Sequence, residues 1–205
     1  MKTTAKKTFA PGLYDLTELQ RDANKRFGYS AKETLNIMQR LYESHKVLTY
    51  PRTDSRYITT DVADTLKERL KACSVGPYRK LAGSLSMRPI RKNASFVDNK
   101  KVTDHHAIIP TEQFVDLQAM TNEERKVYDL VVRRFLAVLL PAFEYDQTVF
   151  TGELAGESFT AKGKIVKSQA GKKPMKILKR MKNGKKRTIW QRHRKNRRCV
   201  REKGR

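Results

Sequence analysis

LTYPRTDS, Leu48–Ser55, puts a tyrosine, a proline, an arginine and an aspartate into one short run directly after a helix-like segment. Two readings are open from these residues. One is a surface turn, bent by Pro51 and Asp54, with Tyr50 packed inward. The other is a site for phosphate chemistry. A phenol is a weak nucleophile near neutral pH, because its pKa is about 10. It therefore needs cations that stabilise phenolate and the charge developing on phosphorus. Arg52 and Arg56 follow closely. Pro51 favours an extended backbone, on which residues 50 and 52 share a side. A guanidinium can grip phosphate with two parallel hydrogen bonds.

Outward from this run, helix signals surround it. TELQ (Thr17–Gln20), SAKE (Ser30–Glu33) and TNEE (Thr121–Glu124) each have capping-box spacing. The first helix is expected to stop near Gly28, which can take a left-handed conformation. The second should run to about Ser44, with Leu35, Met38, Leu41 and Tyr42 on one apolar face. Asp61 to Ala72 fits a third, with Val62, Leu66 and Leu70 inward, and another begins near Pro77. Met87 to Thr103 is polar and aperiodic, as in a long surface loop. The last helix, Asn122 to about Leu139, aligns Val127, Leu130, Val131, Phe135 and Val138, and Pro141 ends it.

The pattern then changes. Residues 143–166 are rich in Thr, Val and Phe, with turn residues at Gly152 and Gly156, and read as a two-stranded hairpin. The expected fold is thus a mainly α domain over 13–142, preceded by a basic segment over 1–12. A short antiparallel β stub over 143–166 follows, as the start of an incomplete further domain. A disordered basic tail, 167–205, completes the chain.

Charge points to a polyanionic partner but is unevenly placed. The net charge is +24, yet residues 167–205 hold 18 Lys or Arg against one acid, so only +7 belongs to residues 1–166. Two readings of the tail stand side by side: a solvated nucleic-acid-binding arm, or an out-of-frame translation of a gene that should continue differently. No apolar run is long enough to cross a membrane. Two cysteines, Cys73 and Cys199, are too few for a disulfide framework or a zinc site, and a reduced cytoplasmic setting is the default.

A second cluster, VTDHHAIIPT, spans Val102 to Thr111. From these residues alone it is either a polar loop entering an apolar segment or a phosphate-binding or proton-handling histidine site. Asp104, His105 and His106 could also suggest a metal-dependent hydrolase, although neighbouring residues rarely face one metal together and no other ligand cluster accompanies them.

The combination RFGYSAKETLNIMQRLYESHKVLTYPRTDSRYI, followed some distance later by DHHAIIPT, resembles the type IA DNA topoisomerases, and TYPRTDSRY resembles their bacterial topoisomerase III branch. The resemblance covers about residues 13 to 166. It implies an ATP-independent isomerase that breaks, passes and rejoins single-stranded DNA through a 5′-phosphotyrosine intermediate. It assigns Tyr50 as nucleophile, Arg52 as the residue positioning the scissile phosphate, and His105 as a DNA contact near the cut. Asp54, Ser55 and Arg56 complete the motif as local scaffold and DNA backbone contacts. His106 falls where relatives vary and is not carried over. The family's Mg²⁺ is held by an acidic cluster in a Toprim domain, and no such cluster precedes Tyr50. The implied reading is a fragment, inactive alone, whose partners are DNA and the missing Toprim and toroid domains, acting at a bacterial nucleoid. The alternative is a non-catalytic basic nucleic-acid-binding module.

Overall fold

In the computed structural model, residues 2–90, 92–154 and 157–166 are described. The basic tail, with both readings made of it, lies outside the described residues. So do Gly156 and Cys199.

A strand, β1 (Lys2–Thr8), comes first, followed by helices α1 (Leu16–Phe27), α2 (Ala31–Glu43), α3 (Thr60–Asp64), α4 (Leu66–Ala72), α5 (Arg79–Ser86) and α6 (Asn122–Val138). Two long strands follow, β2 (Phe143–Leu154) and β3 (Glu157–Val166). The body is helix-rich, as expected. Two of the three expected capping boxes form. Ser30 and Glu33 exchange side-chain and backbone hydrogen bonds at the start of α2, and Thr121 and Glu124 do so at α6. Gly28 ends α1 at φ 76°, the left-handed region a glycine enters without a Cβ penalty.

Three local expectations need correction. Asp15, not Thr17, caps α1 by accepting from the Glu18 N–H; a carboxylate at the cap also suits the helix dipole. The expected helix over 61–72 is two, broken at Thr65. There the Thr65 hydroxyl bonds back to the Val62 carbonyl, competing with helical bonding. The basic segment at the N-terminus is not merely charged: Lys2–Thr8 is the third strand of the sheet.

That sheet has the order β1-β2-β3, antiparallel throughout, with Lys2 opposite Val149 and Tyr145 opposite Val166. The expected hairpin is therefore part of a three-stranded sheet. β1 is exposed along its whole length, and Lys7 pairs with Glu144 across the ladder.

The core lies among the helices and the two motif segments. Leu19, Met38, Leu41, Leu48, Leu66, Leu70, Ile108, Val131 and Phe135 are all buried. The supposed surface loop after α5 contributes Phe96, and Ile58 bridges to Val97 there. Tyr42, expected on the inward face of α2, is exposed. No helix among the described residues is long and apolar enough to cross a membrane.

Candidate functional site

The two motifs, separated by about fifty residues of chain, lie side by side. Leu48 forms an antiparallel bridge with Pro110, and Tyr14 bridges to Ile108. Thr111 N donates to the Val47 carbonyl (3.1 Å), and Thr49 N donates to the Ile109 carbonyl (3.0 Å). Thr49 works in both directions: its Oγ1 accepts from Ile109 N (3.0 Å) and donates to the Ala107 carbonyl (3.2 Å). Thr53 Oγ1 donates to the His105 carbonyl at 3.0 Å, and Ala107 N to the Tyr57 carbonyl at 2.8 Å. Buried backbone groups must find partners, and threonine hydroxyls supply those the irregular backbone leaves over. Arg69 reinforces the pair from α4, donating to the Pro110 carbonyl at 2.9 Å and bridging to Glu112 at 2.7 Å.

This stitching brings Tyr50 and His105 together. Their rings lie 4.2 Å apart at 38°. On its other side, Tyr50 meets the edge of Tyr42 at 5.6 Å and 81°. Tyr50 is half-buried, and its hydroxyl makes no hydrogen bond among the described residues. Burial pushes the phenols of Tyr14, Tyr78 and Tyr128 well above their ordinary value, which makes phenolate at neutral pH still rarer.

The remaining motif residues divide. Arg52 is exposed, and among the described residues its guanidinium makes no ion pair or hydrogen bond; Asp54 is exposed beside it. Ser55 is buried, with its hydroxyl donating to the Lys101 carbonyl at 2.8 Å. Arg56 turns back toward α1, where Nε donates to the Leu13 carbonyl (3.2 Å) and faces Asp15 at 3.9 Å. Of the expected DNA contacts, then, Ser55 and Arg56 are committed to holding the loop, whereas His105 stands beside the tyrosine.

A groove of about 660 Å³ opens next to Tyr50, lined also by Tyr42, Lys46, Leu48, His106 and Thr111. His106 Nδ1 donates to the Ala107 carbonyl at 2.8 Å. Burial, then the charges of Arg69 and His105, hold its pKa below the usual value. The ring is therefore neutral at pH 7, with Nε2 as its acceptor. Among the described residues, no three His, Cys, Asp or Glu side chains gather to hold a metal. Among the described residues the Mg²⁺ that the resemblance implies therefore meets no fitting donor set. Sequence reading missed the paired threonines, Lys46 and the outward face of Tyr42. Only the Thr-rich flanks of both motifs hinted at the stitching.

Comparison with known proteins gives a consistent result. A family model described as DNA topoisomerase matches residues 1–200. DNA topoisomerase 3 of Bacillus cereus (strain ZK / E33L) is 68% identical over 161 residues, which is 78% of this chain and 22% of that protein. The Bacillus subtilis (strain 168) enzyme of the same name is 57% identical over 172 residues, 84% of this chain and 24% of the relative. The fold is shared with full-length topoisomerase I from Thermotoga maritima at a TM-score of 0.61 and 24% identity, over 85% of this chain and 28% of that one. The chain spans less than a quarter of the length of these curated relatives.

Proposed function

This chain belongs to the DNA topoisomerase family, and from that premise we propose that it is the part carrying the strand-cleaving tyrosine, with Tyr50 as nucleophile. The observation that supports this best is the contact of the Tyr50 and His105 rings at 4.2 Å, in a loop whose Arg52 has no partner among the described residues. The Tyr50 oxygen attacks a phosphodiester of a single DNA strand. A phosphorus–tyrosine bond forms, the bond to the 3′-oxygen breaks, and the phenolic proton leaves while the 3′-oxygen gains one. The product is a 5′-phosphotyrosine link and a 3′-hydroxyl. One ester replaces another, so the reverse step reseals the strand without ATP. Another strand passes between the two steps.

Arg52 grips the non-bridging oxygens of the scissile phosphate and offsets the charge that builds there, the largest service a site gives phosphoryl transfer. His105 holds the Tyr50 ring and contacts DNA beside the cut. Asp54 lies at the rim of the same DNA path. Mg²⁺, when bound by an acidic domain elsewhere in the enzyme, would orient the DNA. The 205-residue chain alone does not relax DNA, and its place of action is the bacterial nucleoid.

The test replaces the matching segment of the Bacillus cereus relative with this chain and assays relaxation of supercoiled plasmid. Activity should appear in the chimaera and vanish with Tyr50→Phe. Relaxation that survives the substitution would remove Tyr50 from the role.

A further inference from the structure

Lys46 is the one non-glycine residue with positive φ among the described residues, at 56°. It sits just past α2, where helices commonly end on a left-handed glycine. A lysine there is strained, because its Cβ crowds the following carbonyl. The surroundings enforce the conformation: Thr111 Oγ1 donates to the Lys46 carbonyl at 2.6 Å, and Val47 N donates to the Leu41 carbonyl at 3.0 Å. The fold would be served better by glycine, so the side chain itself needs a reason. That side chain is exposed, lines the groove beside Tyr50, and among the described residues forms no ion pair. Strain held at such a point by its neighbours is characteristic of working positions.

Tyr42, which lines the same groove, is 38% exposed and meets the Tyr50 ring in an edge contact. A cation and an aromatic ring along one groove are what a single strand of nucleic acid requires, one for a phosphate and the other for a base. We infer that this groove is a nucleotide subsite adjoining the scissile phosphate, in which Lys46 contacts the neighbouring phosphate and Tyr42 stacks on a base. This rests on Tyr50 being the cleaving residue. Glu43, the groove's carboxylate, opposes the strand and tempers its affinity.

Binding of a fluorescent single-stranded heptanucleotide to the full chain, followed by anisotropy against salt, tests it. Lys46→Gly should weaken binding about three- to fivefold, the upper range for one exposed ion pair. It should also flatten the log–log salt slope by about 0.7, one phosphate on a single strand. Lys46→Arg should restore both. The melting temperature of Lys46→Gly should hold or rise by about 2–4 °C as strain is relieved, which a merely structural role would not give. Tyr42→Leu should cost about tenfold and Tyr42→Phe little, whereas Glu43→Gln should tighten binding.

Lys80→Ala, on α5 and outside the groove lining, measures the background. Equal losses in Lys46→Gly and Lys80→Ala, or wild-type binding in Lys46→Gly, would overturn the subsite. Lys46→Asn, which also tolerates left-handed backbone, repeats the test should the glycine variant not fold. Arg52→Ala separates the two levels: if it weakens binding while Lys46→Gly does not, only the subsite falls. If Arg52→Ala is neutral as well, the reading of Tyr50 falls with it.

Discussion

Cations are used in two opposite ways in this molecule. On the scaffold side, Arg134 is buried: it donates to the Gly12 carbonyl at 3.1 Å, pairs with Asp22 at 2.9 Å, and lies 4.1 Å from the Tyr14 ring centroid. Arg40 meets buried Glu124 at 2.7 Å, and Arg69 ties α4 to the Pro110 backbone. Around Tyr50, by contrast, Arg52 of the motif loop and Lys46 of the groove are exposed, and their side chains have no partners among the described residues. Where a guanidinium is tied into the protein by ion pairs and carbonyl contacts, removing it should cost stability and leave ligand binding intact. Where it is not, the reverse should hold. The charge total alone cannot separate these two populations, but the geometry can.

The largest effect should come from Arg134→Ala. It strands Asp22 in a half-buried site and removes the anchor between Gly12 and α1, so a loss of about 3–5 kcal/mol in urea unfolding is expected. Little change would place Arg134 in the groove-side class after all.

Glu124→Ala should follow at about 3 kcal/mol, since one residue both closes the α6 capping box and receives Arg40 and His45. It also carries a pH signature. Burial alone would raise its carboxyl pKa, but the Arg40 hydrogen bond, the Thr121 N–H and the His45 ring hold it down at about 2. A folded-state pKa below the unfolded one means the contribution is complete above about pH 4.5 and is lost as pH falls toward about 2. Urea midpoints taken from pH 6 downward should therefore fall more steeply for the wild type than for Glu124→Gln.

Thr49→Val is isosteric but leaves Ile109 N unpaired in the seam between the motifs and the Ala107 carbonyl with the His106 ring alone, a cost of about 1–3 kcal/mol. A loss smaller than that would mean the seam is wetter than its hydrogen bonds suggest. At the small end, Arg52→Ala should change stability by less than about 0.5 kcal/mol, as a surface residue with no partners does. A loss as large as that of Thr49→Val would erase the division between the two sets of cations.

How much of this was legible in the sequence depended on range. Caps and stops lie within four residues of what they bind, so Ser30 with Glu33, Thr121 with Glu124, and Gly28 all announced themselves. Asp15 did not, because DLTELQ offers two capping spacings, Asp15 with Glu18 and Thr17 with Gln20, and only the backbone entry angle chooses between them. Strand β1 was hidden for a different reason. KTTAKKT has no apolar alternation, and its partner lies more than a hundred residues away. Lysines on an edge strand guard it against unwanted pairing, and they also mask it as a mere charged segment.

The candidate residues of the site could be named from the sequence, but the way they are held could not. Tyr50, Arg52 and His105 could be singled out, and the structure places the first and third in ring contact. That Ser55 and Arg56 face the scaffold depends on Lys101 and Leu13, which no local pattern joins to them. The role of Tyr42 was obscured by its own helix: a tyrosine at helical spacing from Leu35 and Met38 reads as core, and only the fold reveals that the stripe ends one residue early.

The most direct measurement is the identity of the residue that holds DNA. With this chain installed in the Bacillus cereus relative, a single-stranded oligonucleotide and Mg²⁺ are supplied, the reaction is stopped with detergent, and the peptides are sequenced by mass spectrometry. A nucleotide joined through its 5′-phosphate to the peptide containing Tyr50, absent in Tyr50→Phe, is the expected result. No adduct, or one on any other side chain, would contradict it.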